Sequence, residues 1–336
     1  MKISVLGDGG WGTAIAILLA KKRHEIFLWG AFEDYVEFLN KKRENIKFLP
    51  SAKIPQEITI SSNLEQVLKN TALIVLAVPS HFMREVVRRL KGYDLSQSVV
   101  LSVAKGIENE TLMRMSEIII EEINPLNLAV LSGPSHAEEV VKNLPTAVTV
   151  SSLDQKVALR VQDTFTTERF RVYTTPDIIG VELGGALKNI VAIAAGISDG
   201  LGFGANTKAA LLSRGIIEMT RLGVESGARP ATFNGLSGIG DLIATCISPY
   251  SRNRQVGTLI AQGKKLGQIL KEMEMVAEGI KTTRSVRDLA LERNIEMPIT
   301  EGIYSILYED TNPLSVVKDL MLRRAKSELE ERFTST

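Results

Sequence analysis

The stretch that most constrains this chain lies at its start, "KISVLGDGGWGTAIAILLA". A short β-branched run at residues 3–6 leads into Gly7, Gly9 and Gly12, spaced G-x-G-x-x-G, and then into a helical pattern. The first glycine permits a tight turn, the second lets backbone approach a pyrophosphate, and the third lets the helix pack close to the strand. Free N–H groups at the helix start suit phosphate oxygens. A strand, this loop and a helix in that order predict a dinucleotide site on a parallel sheet. Gly10 and Trp11 lie inside the same loop; Trp11 either packs or closes over the nicotinamide side.

The rest of the first half keeps the rhythm. Apolar runs at 3–6, 26–29, 58–61, 73–78, 99–103, 129–132, 147–150 and 171–173 read as strands. Amphipathic stretches at 13–22, 81–90 and 112–122 read as helices between them. Strand, helix, strand predicts βαβ units. After "TTPD" (174–177) the pattern becomes helical throughout. The expectation is α/β plus all-α: a Rossmann-like, mainly parallel sheet domain over residues 1–178, then an all-helical domain over 179–336. Within the latter, "ELGGALKNIVAIAAG" (182–196) is apolar on every side, which predicts burial, yet carries Lys188 and Asn189 at its centre.

Composition narrows the partners. The chain has 336 residues, with 40 basic against 39 acidic side chains, and no basic stripe to suit nucleic acid. Cys246 is the single cysteine, so no internal disulfide forms, which fits a reducing compartment. No Cys/His cluster offers a metal site. A strand begins at residue two or three, leaving no room for a leader, and no uninterrupted apolar run reaches membrane-spanning length. The expectation is a cytoplasmic protein.

Several short motifs each have a plain structural explanation. Lys105, in "VAKGI", follows a strand, at the edge where open α/β sheets bind ligands, though a solvated lysine fits too. Ser135, in "SGPSHAEEV", with Glu138 three residues on, fits a capping box. Asp241 suits a helix N-cap. Ser251, Arg252, Asn253 and Arg254 read as a loop before a helix, suited to a phosphate or carboxylate or simply solvated. Glu278 stands at a glycine break.

Taken together and in order, Gly7–Thr13, Lys105-Gly106, Gly133-Pro134-Ser135-x-Ala137, Glu182–Asn189, Gly240-Asp241, Ser251-Arg252-Asn253 and Glu278-Gly279 resemble the NAD(P)-dependent glycerol-3-phosphate dehydrogenases of the bacterial type. The resemblance runs along nearly the whole chain. It implies interconversion of dihydroxyacetone phosphate and sn-glycerol 3-phosphate with NAD(P)H, supplying glycerol phosphate for phospholipids. It implies that Lys188 donates and accepts the proton, with Asp241, Asn189 and Lys105 as active-site partners. Gly133, Ser135, Ser251, Arg252 and Asn253 match substrate positions, the last two at the phosphate. Gly10, Trp11, Lys105, Ala137, Ser251, Arg252, Val276 and Glu278 match cofactor contacts. The resemblance is also compatible with a homodimer. His136 replaces the family's common aromatic residue after the motif's serine.

Two questions stay open at this level. NAD is favoured by an acid at the end of the second strand and NADP by an arginine, but here Gly30 and Ala31 occupy that place, with Glu33 and Asp34 just beyond. The alternatives in function are a related hydroxyacid or sugar-acid dehydrogenase, and a non-catalytic nucleotide sensor. Burial around Lys188 and the charge of Lys105 would lower its pKa, while Asp241 would oppose that shift. Gly184 and Gly185 are expected to leave room beside the lysine for substrate and nicotinamide.

Overall fold

The computed structural model describes residues 1–273, 277–325 and 327–328. All eight expected strands form: β1 (Lys2–Leu6), β2 (Glu25–Trp29), β3 (Thr59–Ser61), β4 (Leu73–Leu76), β5 (Val99–Ser102), β6 (Asn127–Ser132), β7 (Thr146–Ser151) and β8 (Phe170–Thr175). They make one sheet in the order β3-β2-β1-β4-β5-β6-β7-β8. Every pair is parallel except β6 with β7, which run antiparallel. Side chains alternate across the sheet. Val5, Val75 and Leu101 join one apolar cluster, while Leu6, Leu76 and Val100 join the cluster on the opposite face.

Helices α1 (Gly10–Ala20), α2 (Glu33–Lys42), α3 (Leu64–Leu68), α4 (Met83–Arg88), α5 (Met115–Ile123), α6 (Ala137–Val141) and α7 (Gln155–Phe165) alternate with the strands. Strand order reverses between β1 and β4, and in such folds the ligand crevice lies there, beyond the carboxyl ends of the strands.

From Ile178 onward no strand occurs among the described residues. The helices are α8 (Ile178–Gly200), α9 (Ala205–Glu225), α10 (Pro230–Phe233), α11 (Asp241–Ile247), α12 (Arg252–Ala261), α13 (Leu266–Glu272), α14 (Glu278–Glu292), α15 (Pro298–Tyr308) and α16 (Pro313–Met321). A π-helical turn, Leu236–Gly240, precedes α11. Helix α8 is the spine, with α9, α11, α12 and α14 packed around it. Asp177 caps it, accepting from Gly180 N and, through its other oxygen, from Arg229 N and Thr232 Oγ1. Glycines, Lys188, Asn189 and Asp199 interrupt the longest apolar run, as the sequence shows. Among the described residues α8 is long and apolar enough to cross a membrane, but 83% of its apolar window is buried against the other elements.

Backbone meets backbone where α8 crosses α12. A Cβ on Gly196 would lie 1.9 Å from Arg254 O, and one on Gly257 would lie 2.0 Å from Ile193 O. No side chain fits there, so α12 is held against the middle of α8.

Candidate active site

The carboxyl edge of the sheet and the middle of α8 meet around one carboxylate. Asp241 opens α11 as its first residue, not as its cap, and is buried. Lys188 Nζ donates to Asp241 Oδ1 at 2.7 Å and to Thr245 Oγ1 at 2.5 Å. Lys105, beyond β5, donates to Asp241 Oδ2 at 2.7 Å and to the Gly133 carbonyl at 3.0 Å. One carboxylate thus joins a lysine from each half of the chain. Lys188 is only 5% exposed, so it does not reach out to water.

The charges follow from this arrangement. Burial pushes the Lys188 ammonium down to about 8; Asp241 opposes the shift and Lys105 reinforces it. Burial would push the Asp241 carboxyl up, but the two ammonium groups outweigh it and hold it below the usual carboxylate range. His136 sits just before α6, half-buried. Burial first, then the charges of Lys188 and Lys105, lower its pKa to about 4. Near neutral pH that imidazole is uncharged.

The glycines beside Lys188 serve close packing rather than the space expected. A Cβ on Gly184 would meet Ser237 O at 2.4 Å. One on Gly185 would meet Ser132 Oγ at 2.6 Å and Lys105 Cγ at 3.3 Å. The glycines bring the π-turn, the end of β6 and Lys105 up to the helix.

One turn on, Asn189 accepts from Asn253 Nδ2 at 2.9 Å, and Asn253 Oδ1 accepts from Gly279 N at 2.9 Å. Asn253 therefore ties α8, α12 and α14 together. Ser251 to Arg254 are not a loop: Ser251 caps α12 by accepting from Arg254 N, and Arg252 is exposed on the first turn. Packing around its guanidinium lowers its pKa, a shift that the nearby Glu138 and Glu278 oppose. Glu278 begins α14, where its carboxylate accepts from Ser80 N at 3.1 Å and from the Ser80 hydroxyl. That bridges the sheet's edge and the helical region.

The capping box at Ser135 does not form. Its hydroxyl donates to Gly133 O at 2.9 Å, α6 starts at Ala137, and His136 takes the cap position. Gly133, at φ +139°, lies against Val148, where a Cβ would come within 2.9 Å of its Cα. Val276 lies outside the described residues. Thr245 was not anticipated; its place one turn after Asp241, four residues on, was the available signal. Ser80, likewise missed, carried no motif.

The glycine loop fits a pyrophosphate. Gly7 has φ +120°, and a Cβ there would lie 2.7 Å from Ala77 O. A Cβ on Gly12 would lie 1.9 Å from Gly7 O, so the helix abuts its own loop. A Cβ on Gly10 would lie 2.6 Å from Phe48 O. A Cβ on Gly9 would meet nothing within 4 Å, which leaves open space beside bare backbone at the start of α1. Trp11 packs, half-buried, on the core.

Comparison with known proteins agrees with this geometry. Residues 2–158 match the model of the NAD-dependent glycerol-3-phosphate dehydrogenase N-terminus, and residues 177–318 match that of its C-terminus. A glycerol-3-phosphate dehydrogenase [NAD(P)+] of Thermoanaerobacter sp. (strain X514) is 53% identical over 98% of this chain and 99% of its own. One from Pelotomaculum thermopropionicum is 50% identical over 98% of this chain and 95% of its own. The crystal structure of glycerol-3-phosphate dehydrogenase from Coxiella burnetii superposes with a TM-score of 0.93 at 37% identity, covering 96% of this chain and 99% of that one. The chain belongs to the NAD-dependent glycerol-3-phosphate dehydrogenase family.

Proposed function

We propose that this protein interconverts dihydroxyacetone phosphate and sn-glycerol 3-phosphate with NAD(P)H, supplying glycerol phosphate for phospholipid synthesis. The carrying observation is the buried Lys188 ammonium shared between Asp241 and Thr245 at the sheet's carboxyl edge. A nicotinamide cofactor, when bound, supplies or accepts the hydride. The chain's own residues do the rest. Lys188 protonates the carbonyl oxygen in reduction and takes the hydroxyl proton in oxidation. Asp241 orients its amine and Lys105 keeps Asp241 ionised, with Asn189 as a neighbouring polar partner. Gly7, Gly9, Gly10, Trp11 and Gly12 hold the dinucleotide, together with Lys105, Ala137, Ser251, Arg252 and Glu278. Gly133, Ser135, Ser251, Arg252 and Asn253 face substrate, with Arg252 as the charged group at its phosphate and Asn253 fixing the turn that carries it.

The working division is residues 1–178 for the dinucleotide and 179–336 for substrate and proton transfer. The start of α8 at Ile178 supports it. A homodimer in the cytoplasm completes the reading, the location supported by a lone, buried cysteine, Cys246.

The deciding experiment follows NADH and NADPH oxidation at 340 nm with dihydroxyacetone phosphate and, separately, with 2-oxo and 3-oxo acids. Turnover of the phosphate ester alone is expected. Turnover confined to the oxo acids would move the chain to the hydroxyacid dehydrogenases. Cofactor binding without turnover of any substrate would make it a sensor.

A further inference from the structure

In a dinucleotide fold the side chain at the end of the second strand reads the ribose next to the adenine. Here β2 ends at Trp29 and the next residue is Gly30, which has no side chain to offer. Its space is already filled from the glycine loop after β1. A Cβ built on Gly30 would lie 2.2 Å from Asp8 Oδ2 and 2.8 Å from Asp8 Cγ. The carboxylate of Asp8, the first variable position of the glycine loop, therefore stands where a side chain at position 30 would be.

Its backbone is held there. Asn45 Nδ2 donates to Asp8 O at 2.8 Å and to Thr13 Oγ1 at 2.7 Å, and the Tyr35 hydroxyl donates to Asn45 Oδ1 at 2.6 Å. The carboxylate itself is poorly served. Asp8 Oδ2 is buried and has no hydrogen-bond partner among the described residues. Burial pushes the carboxyl up to about 6, opposed only by its own backbone. A buried acceptor without a donor costs stability, and a ribose hydroxyl is a donor of the right kind.

We infer that Asp8 takes the part usually played by an acid at the end of β2, accepting a hydrogen bond from the 2′-hydroxyl of the adenosine ribose and thereby selecting NADH over NADPH. This rests on the dinucleotide reading of the glycine loop. The surroundings agree with the direction of choice. A 2′-phosphate would meet the Asp8 carboxylate with Glu33 and Asp34 in the first turn of α2 close by in sequence. Ala31, the position where an arginine could pair with that phosphate, is exposed and uncharged.

The test is direct binding without substrate, by calorimetric titration of the full chain. The ligands are NADH, NADPH and NADH lacking the 2′-hydroxyl. Wild type should prefer NADH to NADPH by at least about tenfold. It should lose roughly 10- to 100-fold in affinity when the 2′-hydroxyl is absent, the worth of one hydrogen bond to a charged group. Asp8→Asn, which keeps the shape and removes the charge, should reduce the NADH preference at least about tenfold and bind the two NADH forms more nearly alike. An unchanged preference in folded Asp8→Asn overturns the inference. So does a wild type that binds NADH and NADPH equally, whether or not the variant folds. A wild type that binds none of the three ligands overturns the dinucleotide reading itself and this inference with it.

Discussion

Lys188 shows how one residue's surroundings set its chemistry. Burial lowers its pKa to about 8, with Lys105 acting in the same direction and Asp241 against it. In the role proposed for it, reduction needs the ammonium and oxidation the free amine. Reductive kcat/KM should therefore fall as pH rises through about 8, and oxidative kcat/KM should rise through the same point. The apparent value belongs to the coupled Lys188–Asp241–Lys105 set. Lys105→Met removes a repelling cation, so the turning point should move to higher pH; a move to lower pH would contradict the electrostatics. Lys188→Met should lower turnover by about 100- to 10,000-fold while titration still shows cofactor binding; turnover within threefold of wild type would remove Lys188 from the chemistry. Asp8 offers a test in stability. Its pKa in the folded state, about 6, lies above that of an unfolded aspartate, so stability falls as pH rises through about 4 to 6 and stays lower beyond. Asp8→Asn should thus stabilise the ligand-free protein by roughly 1–3 kcal/mol at pH 7 and hardly at all at pH 4, read from urea midpoints. At this scale the sequence was readable where a residue broke its local pattern. Lys188 in an apolar helix announced itself. Ser80 and the reach of Asp8 into the space at Gly30 did not, because each depends on a contact between elements that no local pattern encodes; Thr245 had only its spacing from Asp241 to mark it.

Elements were legible wherever burial imposes a period. Short runs rich in apolar and β-branched residues marked all eight strands, with ends shifted by one or two residues, because fraying ends carry little pattern. The antiparallel turn of β7 against β6 was not legible, since strand direction leaves no trace in a strand's own residues. The capping box at Ser135 failed for a different reason: the helix starts one residue late, so His136 stands at the cap and the Ser135 hydroxyl donates back to Gly133 O. Most telling are the glycines of the long helices. Gly196 and Gly257 look like helix weak points by propensity, yet they let α8 and α12 touch along their backbones. Gly257→Ala should therefore destabilise despite alanine's better helix propensity. The added carbon would sit 2.0 Å from Ile193 O, a backbone atom that cannot swing away. A loss of about 1–3 kcal/mol is expected from overpacking, read as a lower urea midpoint. Displacing α12 also displaces Arg252 and Asn253 at its start, so KM for the phosphorylated substrate should rise with it. A variant as stable as wild type, with unchanged KM, would mean the helices separate freely.

For the molecule as a whole, the proposed chemistry is divided among parts far apart in sequence. The glycine loop and Lys105 belong to the sheet, Lys188 and Asp241 to α8 and α11, and Arg252 to α12. Lys105 to Asp241 and Ser80 to Glu278 tie these parts together. Arg252 tests whether that assembly handles a phosphate ester. A guanidinium offers a rigid fork to phosphate oxygens, and each hydrogen bond to a charged group is worth about 1.5–3 kcal/mol. Losing one or two should cost roughly 10- to 1,000-fold in kcat/KM. The phosphate is remote from the carbonyl, so its binding energy can also orient the reacting carbon. Arg252→Ala should then lower kcat as well as raise KM on dihydroxyacetone phosphate. Dihydroxyacetone, which has no phosphate to hold, should lose far less. The measurement compares wild type and variant on both substrates, with cofactor affinity titrated alongside because Arg252 and Glu278, close enough to feel each other's charge, are both proposed to touch the cofactor. Equal proportional losses on the two substrates, with cofactor binding weakened to match, would place Arg252 at the cofactor and leave the phosphate without its reader. A loss on the phosphorylated substrate well beyond both the loss on dihydroxyacetone and any fall in cofactor affinity is what a molecule that grips one end of its substrate while reacting at the other must give.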